Sequence, residues 1–214
     1  MYRNYQSVYS SIKNHQDLAI QTAFHEAGHA AGIYLGNKAK QLPPVFFQIK
    51  IASPLNTNDS LYSAKVVDGQ LIQNLPIAGI ENIHDLSIEE QRSYKSAYEA
   101  DVINLLVGPI AEAKYVSERD DEPFSSNLLN VHSLNYYGGS SDIKKAYAYL
   151  EFFISSEQER EIKMRELFLQ AFQFVENTEN WDCIKALTEY ILNSNKEVLS
   201  CEDAVEVFDR SLAA

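Results

Sequence analysis

Cysteine is scarce in this chain. Cys183 and Cys201 are its only two, and their spacing is not that of a zinc finger. Two unpaired thiols in a reducing cytoplasm are the simpler reading. Residues Met1 to Gln16 are polar and rich in Tyr, Ser and Asn, with no apolar segment of the kind a secretory signal needs. Long hydrophobic runs are missing as well. The best candidate, Val102 to Ala113, is interrupted by Asn104, Gly108, Pro109 and Glu112, so no membrane span is expected. Positive charge is in deficit: 18 Lys and Arg stand against 30 Asp and Glu, a formal net charge of −12. That balance argues against nucleic acid and anionic membrane surfaces as partners. Internal repeats and low-complexity segments are absent. The hydrophobic fraction of 45% can fill a core, and 214 residues suit one domain.

Within this plain composition one stretch carries chemistry: Thr22-Ala23-Phe24-His25-Glu26-Ala27-Gly28-His29-Ala30-Ala31-Gly32. It contains His-Glu-x-x-His. On a helix, residues four apart lie one above the other, so His25 and His29 can point imidazole nitrogens at one metal ion. Glu26 lies about a third of a turn round. It can reach a water on that metal but is not placed as a third ligand. Zinc suits two neutral imidazoles, one further protein ligand and one open position. Glu26 would then take the proton from the attacking water as general base. Asp17 can cap this helix, several alanines favour it, and Gly36-Asn37 supplies a stop, giving a metal helix from about Asp17 to Leu35. Gly28 and Gly32 each cost about 1 kcal/mol against Ala inside a helix. They make sense if another backbone packs tightly there.

Along the rest of the chain, Val45 to Ile51 reads as a strand and Ser53 to Asp59 as a turn. Leu61 to Val67 is a second strand closed by Asp68-Gly69, and Gln70 to Leu75 can add a short third. Many zinc peptidases place an edge strand after the metal helix, where an extended substrate adds main-chain hydrogen bonds; a plain structural hairpin is the equal alternative. Ser87-Ile88-Glu89-Glu90 has the form of a capping box. The helix it opens runs to Leu106, is broken or kinked at Gly108-Pro109, and continues to Val116. Ser117 to Asn135 is polar, acidic and turn-rich, and reads as a surface insertion near the site. A helix to about Ile154, one over Ser156 to Val175 with Ile162, Leu167, Leu169, Phe172 and Val175 on its apolar face, and two more over Trp181 to Leu192 and Ser200 to Leu212 complete a helical C-terminal part.

A zinc site needs a third protein ligand. His15, His84 and His132 sit in no motif, and carboxylates are too numerous for composition to choose among them. Three segments resemble one family. Thr22 to Leu35 looks like the metal helix of the FtsH-type zinc peptidases, whose signature is a His-Glu-Ala-Gly-His run. Leu105-Leu106-Val107-Gly108-Pro109-Ile110-Ala111-Glu112-Ala113 is similar to that family's Leu-x-Gly-Arg-x-Ala-Glu-Glu segment. Gly139-Ser140-Ser141-Asp142-Ile143-Lys144-Lys145-Ala146 resembles its Gly-Ala-x-Asn-Asp-Leu-x-x-Ala segment, whose aspartate is the third zinc ligand. The resemblance therefore implies Asp142 as that ligand. A carboxylate at a helix start, after a Gly-Gly turn, is favoured and stays ionised; capping the helix together with Ser140 or Ser141 is the alternative use. Glu112 matches the first of the family's paired glutamates and could hold the far nitrogen of His25 or His29, or form a surface salt bridge. The family's arginine is replaced by Pro109-Ile110 and its second glutamate by Ala113. The membrane spans and the ATP-driven unfoldase of FtsH-type proteases have no counterpart, since no Gly-x-x-x-x-Gly-Lys-Ser/Thr occurs.

These features imply a mainly α, zincin-like helical peptidase domain with a small antiparallel β-sheet after the metal-binding helix. Residues 1–16 form a tail or short leading helix, 17–214 the FtsH-like peptidase domain, and 138–214 its helical C-terminal part carrying the third ligand. The implied activity is ATP-independent, zinc-dependent endopeptidase cleavage of peptides or unfolded protein in the cytoplasm, with a homo-oligomer left open. His25, His29 and Asp142 would hold Zn²⁺, with Glu26 as base and Glu112 behind the ligands. The competing class is a catalytically silent zinc-binding module that partners or regulates another protease. No oxyanion-stabilising residue is legible; Tyr136, Tyr137 and His132 are candidates only by their nearness to Asp142 in sequence.

Overall fold

The computed structural model describes the backbone of residues 4–52, 63–74 and 87–213, and the side chains of 16–52, 63–72 and 87–213. The turn at Ser53 to Asp59, the stretch Pro76 to Ile83, His84 and the His15 side chain lie outside these described residues.

The first helix is longer than the sequence suggests. α1 spans Asn4–Ala31, so the leading segment and the metal helix are one helix. Asp17 is therefore no cap. Its carboxylate accepts from Gln21 one turn on and pairs with Arg119. Gly36-Asn37 is not the stop either. The chain passes through a π turn, Gly32–Gly36, into the short α2, Asn37–Ala39. It ends at Lys40, followed by Gln41 with a positive φ of 56°.

β1 (Phe47–Ala52) pairs antiparallel with β2 (Ser63–Asp68). Along β1 the side chains of Phe47, Ile49 and Ile51 are buried in strict alternation, the signature of a half-buried strand. The third strand is not Gln70 to Leu75. Leu71–Asn74 is a 3₁₀ turn, because both oxygens of the buried Asp101 accept from the amides of Leu71 and Ile72 and bend the backbone. The third strand comes instead from the far end of the chain: β3 (Val198–Ser200) pairs with β1, giving the order β2-β1-β3.

α3 spans Ile88–Arg119 and opens with the Ser87–Glu90 capping box. It is not broken at Gly108-Pro109. A proline removes one helical hydrogen bond and crowds the carbonyl four residues back, but here Val102 to Ala113 is almost wholly buried against α1 and its neighbours. Tertiary packing overrides the local preference. α4 (Ser140–Phe153), α5 (Glu157–Glu176), α6 (Thr178–Asn193) and α7 (Cys201–Leu212) follow. On α5 the buried stripe is Met164, Leu167, Phe168, Ala171, Phe172 and Val175, a 3.6-residue pattern. Ile162 and Leu169, assigned to that face from sequence, are 69% and 43% exposed.

α1 and α3 form the centre. Phe24 of α1 stacks on Tyr115 of α3 at 4.5 Å and on Trp181 of α6 at 5.3 Å, tying three helices together. The segment after α3 is anchored by Phe124 stacked on Phe172 and by buried Leu129 and Leu134. Both cysteines are free thiols. Among the described residues no helix is long and apolar enough to cross a membrane.

Candidate metal centre

Where α1 crosses α3, the helices approach until only glycine fits. A Cβ on Gly28 would meet the Ala111 Cβ at 2.8 Å and the Gly108 Cα at 3.0 Å. Gly32 faces Asn104 of the same helix. The tight packing expected of these two glycines is thus present, and α3 is the neighbouring backbone. A Cβ on Gly108 would fall 2.4 Å from Nε2 of His29, so this glycine forms the seat on which that imidazole rests.

The close crossing orients both histidines. Nδ1 of His29 donates to the main-chain carbonyl of Asn104 at 2.8 Å. Nδ1 of His25 donates to Oε2 of Glu112 at 2.9 Å, with both side chains buried. Glu112 is therefore behind His25, on the side of the ring away from Asp142, and not in a surface ion pair. With both Nδ1 atoms occupied, each ring turns Nε2 to the same point.

α4 brings Asp142 to that point. Gly138, at φ +69°, makes the left-handed turn ahead of α4, and a Cβ there would crowd Glu112 and His25. Gly139, the N-cap, has no side chain to cap the helix, and the Asp142 carboxylate both accepts from its own first-turn amide and reaches the histidines. Its oxygens lie 3.3 Å from His25 Nε2 and 3.7 Å from His29 Nε2. One ligand atom from each of His25, His29 and Asp142 can be chosen so that all lie within 4.8 Å of one another.

The donor set fits zinc. Donors about 2.0–2.1 Å from a tetrahedral Zn²⁺ stand roughly 3.3 Å apart, close to the spacings found here. The electrostatics agree. Burial opposes charge on Asp142, but its hydrogen bond to His25 and the two histidine charges hold its carboxyl below the usual range. Burial would lower the His25 pKa; the bonds to Asp142 and Glu112 and the charge of Glu26 overcome it and push it up to about 10. Carboxylates at both ring nitrogens of His25 thus favour positive charge here.

Glu26 lines the same cavity, of about 430 Å³. Its Oε2 accepts from the amide of Val66 at 2.5 Å. β1 bonds β3 through Ile49 and Ile51, hence β2 through Gln48 and Lys50. The main-chain groups of Ala64, Val66 and Asp68 therefore point away from β1, and among the described residues β2 is an edge strand lining the cavity.

The oxyanion candidates are not brought in. Tyr136, Tyr137 and His132 do not line this cavity, and Tyr136 is 86% exposed. Nor does any residue of 117–135; Ser126 and Leu129 to His132 instead border a separate cavity against α4 and α5. A larger groove of about 880 Å³ between the π turn with α2 and α7 holds no ligand-type cluster among the described residues. What sequence reasoning missed are Asn104, through its carbonyl, the Gly108 seat, the Val66 amide and two cavity-lining residues, Asp101 and Lys145. Of these only Asp101 left a signal, as an acid in register with Tyr94 and Tyr98 on an apolar helix face.

No family model, curated protein or solved structure matches this chain.

Proposed function

We propose that this chain forms a zinc-dependent endopeptidase with a zincin-like site, acting on peptides or unfolded segments, as the resemblance to the FtsH-type peptidases implies. The observation that carries this reading is the convergence of His25 Nε2, His29 Nε2 and an Asp142 oxygen beside Glu26, with both Nδ1 atoms held from behind. A bound Zn²⁺ would supply the Lewis acidity that activates water at neutral pH and polarises the scissile carbonyl.

The chain's own residues do the rest. Glu112 and the Asn104 carbonyl fix the imidazole tautomers. The Val66 amide holds one oxygen of Glu26 in place. Oε1, which has no partner among the described residues, takes the proton from the attacking water and returns it to the leaving amine. With the Val66 amide given to Glu26 and the Asp68 carbonyl to Gln70, the outward main-chain groups of Ala64 and the Val66 carbonyl offer an extended peptide a strand to join.

One contact favours a second reading, the silent zinc-binding module that partners or regulates another protease. Glu26 is engaged by Val66, a bond that would serve stability alone. Cleavage separates the two. Wild type, Glu26→Gln and Asp142→Ala are assayed for metal content and for cleavage of a fluorescent unfolded protein. The peptidase reading expects about one zinc per wild-type chain, chelator-sensitive cleavage, zinc retained but hydrolysis abolished in Glu26→Gln, and zinc affinity about 10-fold weaker or worse in Asp142→Ala. Zinc without cleavage selects the silent module. Full activity in Glu26→Gln removes the general base, and unchanged metal in Asp142→Ala removes the third ligand.

A further inference from the structure

The cavity of the triad also holds Lys145. α4 places it one turn beyond Asp142, so both side chains leave the same face of the helix. Among the described residues Lys145 forms no ion pair; its ammonium lies 5.6 Å from the ring centroid of Tyr149, a further turn along. In a chain where acids outnumber bases 30 to 18, an uncommitted, half-buried cation stands out. The acid whose charge it feels is Asp101, whose carboxylate also accepts from the amides of Leu71 and Ile72. Lys145 is therefore a half-buried cation with no direct ion pair among the described residues, and it gains when an anion enters the cavity.

Position decides which anion. Lys145 forms no ion pair with Asp142, one turn back on α4, so its ammonium stands beside the point where the ligand atoms converge and not on it. Lys145 shares the cavity wall with Gln70 and Asp101, and Asp101 is the acid that feels its charge. We propose that Lys145 is a specificity-determining residue that binds a substrate carboxylate flanking the scissile bond. This rests on the peptidase reading. The carboxylate can belong to an Asp or Glu side chain or to a free C-terminus, and the chemistry at Lys145 is the same.

The test uses the zinc-loaded full chain and one unfolded peptide sequence in three forms. One is neutral, with Gln flanking the cut and an amidated end; one carries Glu in place of those Gln residues; one is neutral but has a free C-terminus. The wild type is expected to favour one carboxylate-bearing form over the neutral form by about fivefold in kcat/KM, through KM, and less so as salt rises. Lys145→Gln should erase that preference and Lys145→Arg should keep most of it. Preference for the Glu form identifies a side chain; preference for the free end identifies a C-terminus. Equal rates for all three forms, or a preference that survives in Lys145→Gln, overturns the proposal. If the wild type cuts none of them, the peptidase reading fails on its own. Binding of the same labelled peptides by anisotropy to Glu26→Gln, with and without Lys145→Gln, then decides: a carboxylate preference lost with Lys145→Gln upholds the site, and no preference overturns it.

Discussion

Asp101 is the most informative single residue outside the triad. It is buried in the middle of α3, and its two oxygens take the amides of Leu71 and Ile72. It thereby pins the turn that follows β2, whose near end borders the metal-ligand cavity. Burial pushes its pKa up to about 6, while the two amide bonds and the charge of Lys145 pull it the other way. The sign follows from linkage. An ordinary aspartate titrates near 3.9, so between about pH 4 and pH 6 the folded protein binds more protons than the unfolded chain. Stability from this group is present below about pH 4 and lost as pH rises through 6. Asp101→Asn cannot titrate. Its stability relative to wild type should therefore rise by roughly 2–3 kcal/mol from pH 4 to pH 7. Urea unfolding of both proteins at the two pH values checks this; a constant difference would mean that Asp101 titrates normally.

At the scale of elements, the crossing of α1 and α3 sets the site. Gly108 combines two opposing preferences. As a helix residue it is worse than alanine by about 1 kcal/mol, yet alanine would place a Cβ 2.4 Å from the ligand nitrogen of His29. Gly108→Ala should lower the metal-free melting temperature, since the clash with the buried His29 ring outweighs the gain in helix propensity, and weaken zinc affinity about 10-fold or more. A chelator-competition titration beside a thermal melt reads both. Unaltered zinc affinity would show that His29 does not need this seat. The same crossing explains why Pro109 is tolerated: α3 is held by what packs on it, not by its own hydrogen-bond ladder alone.

At the scale of the molecule, the C-terminal segment returns to the hairpin that follows the first helix. β3 pairs with β1, and α7 follows immediately, burying Ala204, Val207 and Phe208. Phe208 is fully buried and stacks on Tyr34 of α1's π turn at 5.9 Å. Since β1 also carries β2, the C-terminal segment supports the strand that holds Glu26. Phe208→Ala should cost about 3–5 kcal/mol of stability, measured by urea unfolding of the metal-loaded protein. A loss below 1 kcal/mol would mean that α7 is a dispensable appendage.

The sequence by itself determined what is local. His25 and His29 share a face because four residues make about one helical turn, and the Ser87–Glu90 cap and the alternation of β1 are equally short-range signals. The resemblance brought in Asp142 and Glu112, and the structure places both against the histidines. Tertiary structure alone decided the rest. The sequence pattern of Gly108-Pro109 says break, and burial against α1 makes it a continuous helix and a seat. The third strand comes from 198–200 instead of 70–75, because the Asp101 carboxylate captures the nearer amides first. The partner of His29 is a main-chain carbonyl 75 residues away, and that of Glu26 is an amide 40 residues away. Every residue but proline carries that amide and every residue that carbonyl, so only the packing of helices and strands could select which ones meet the site.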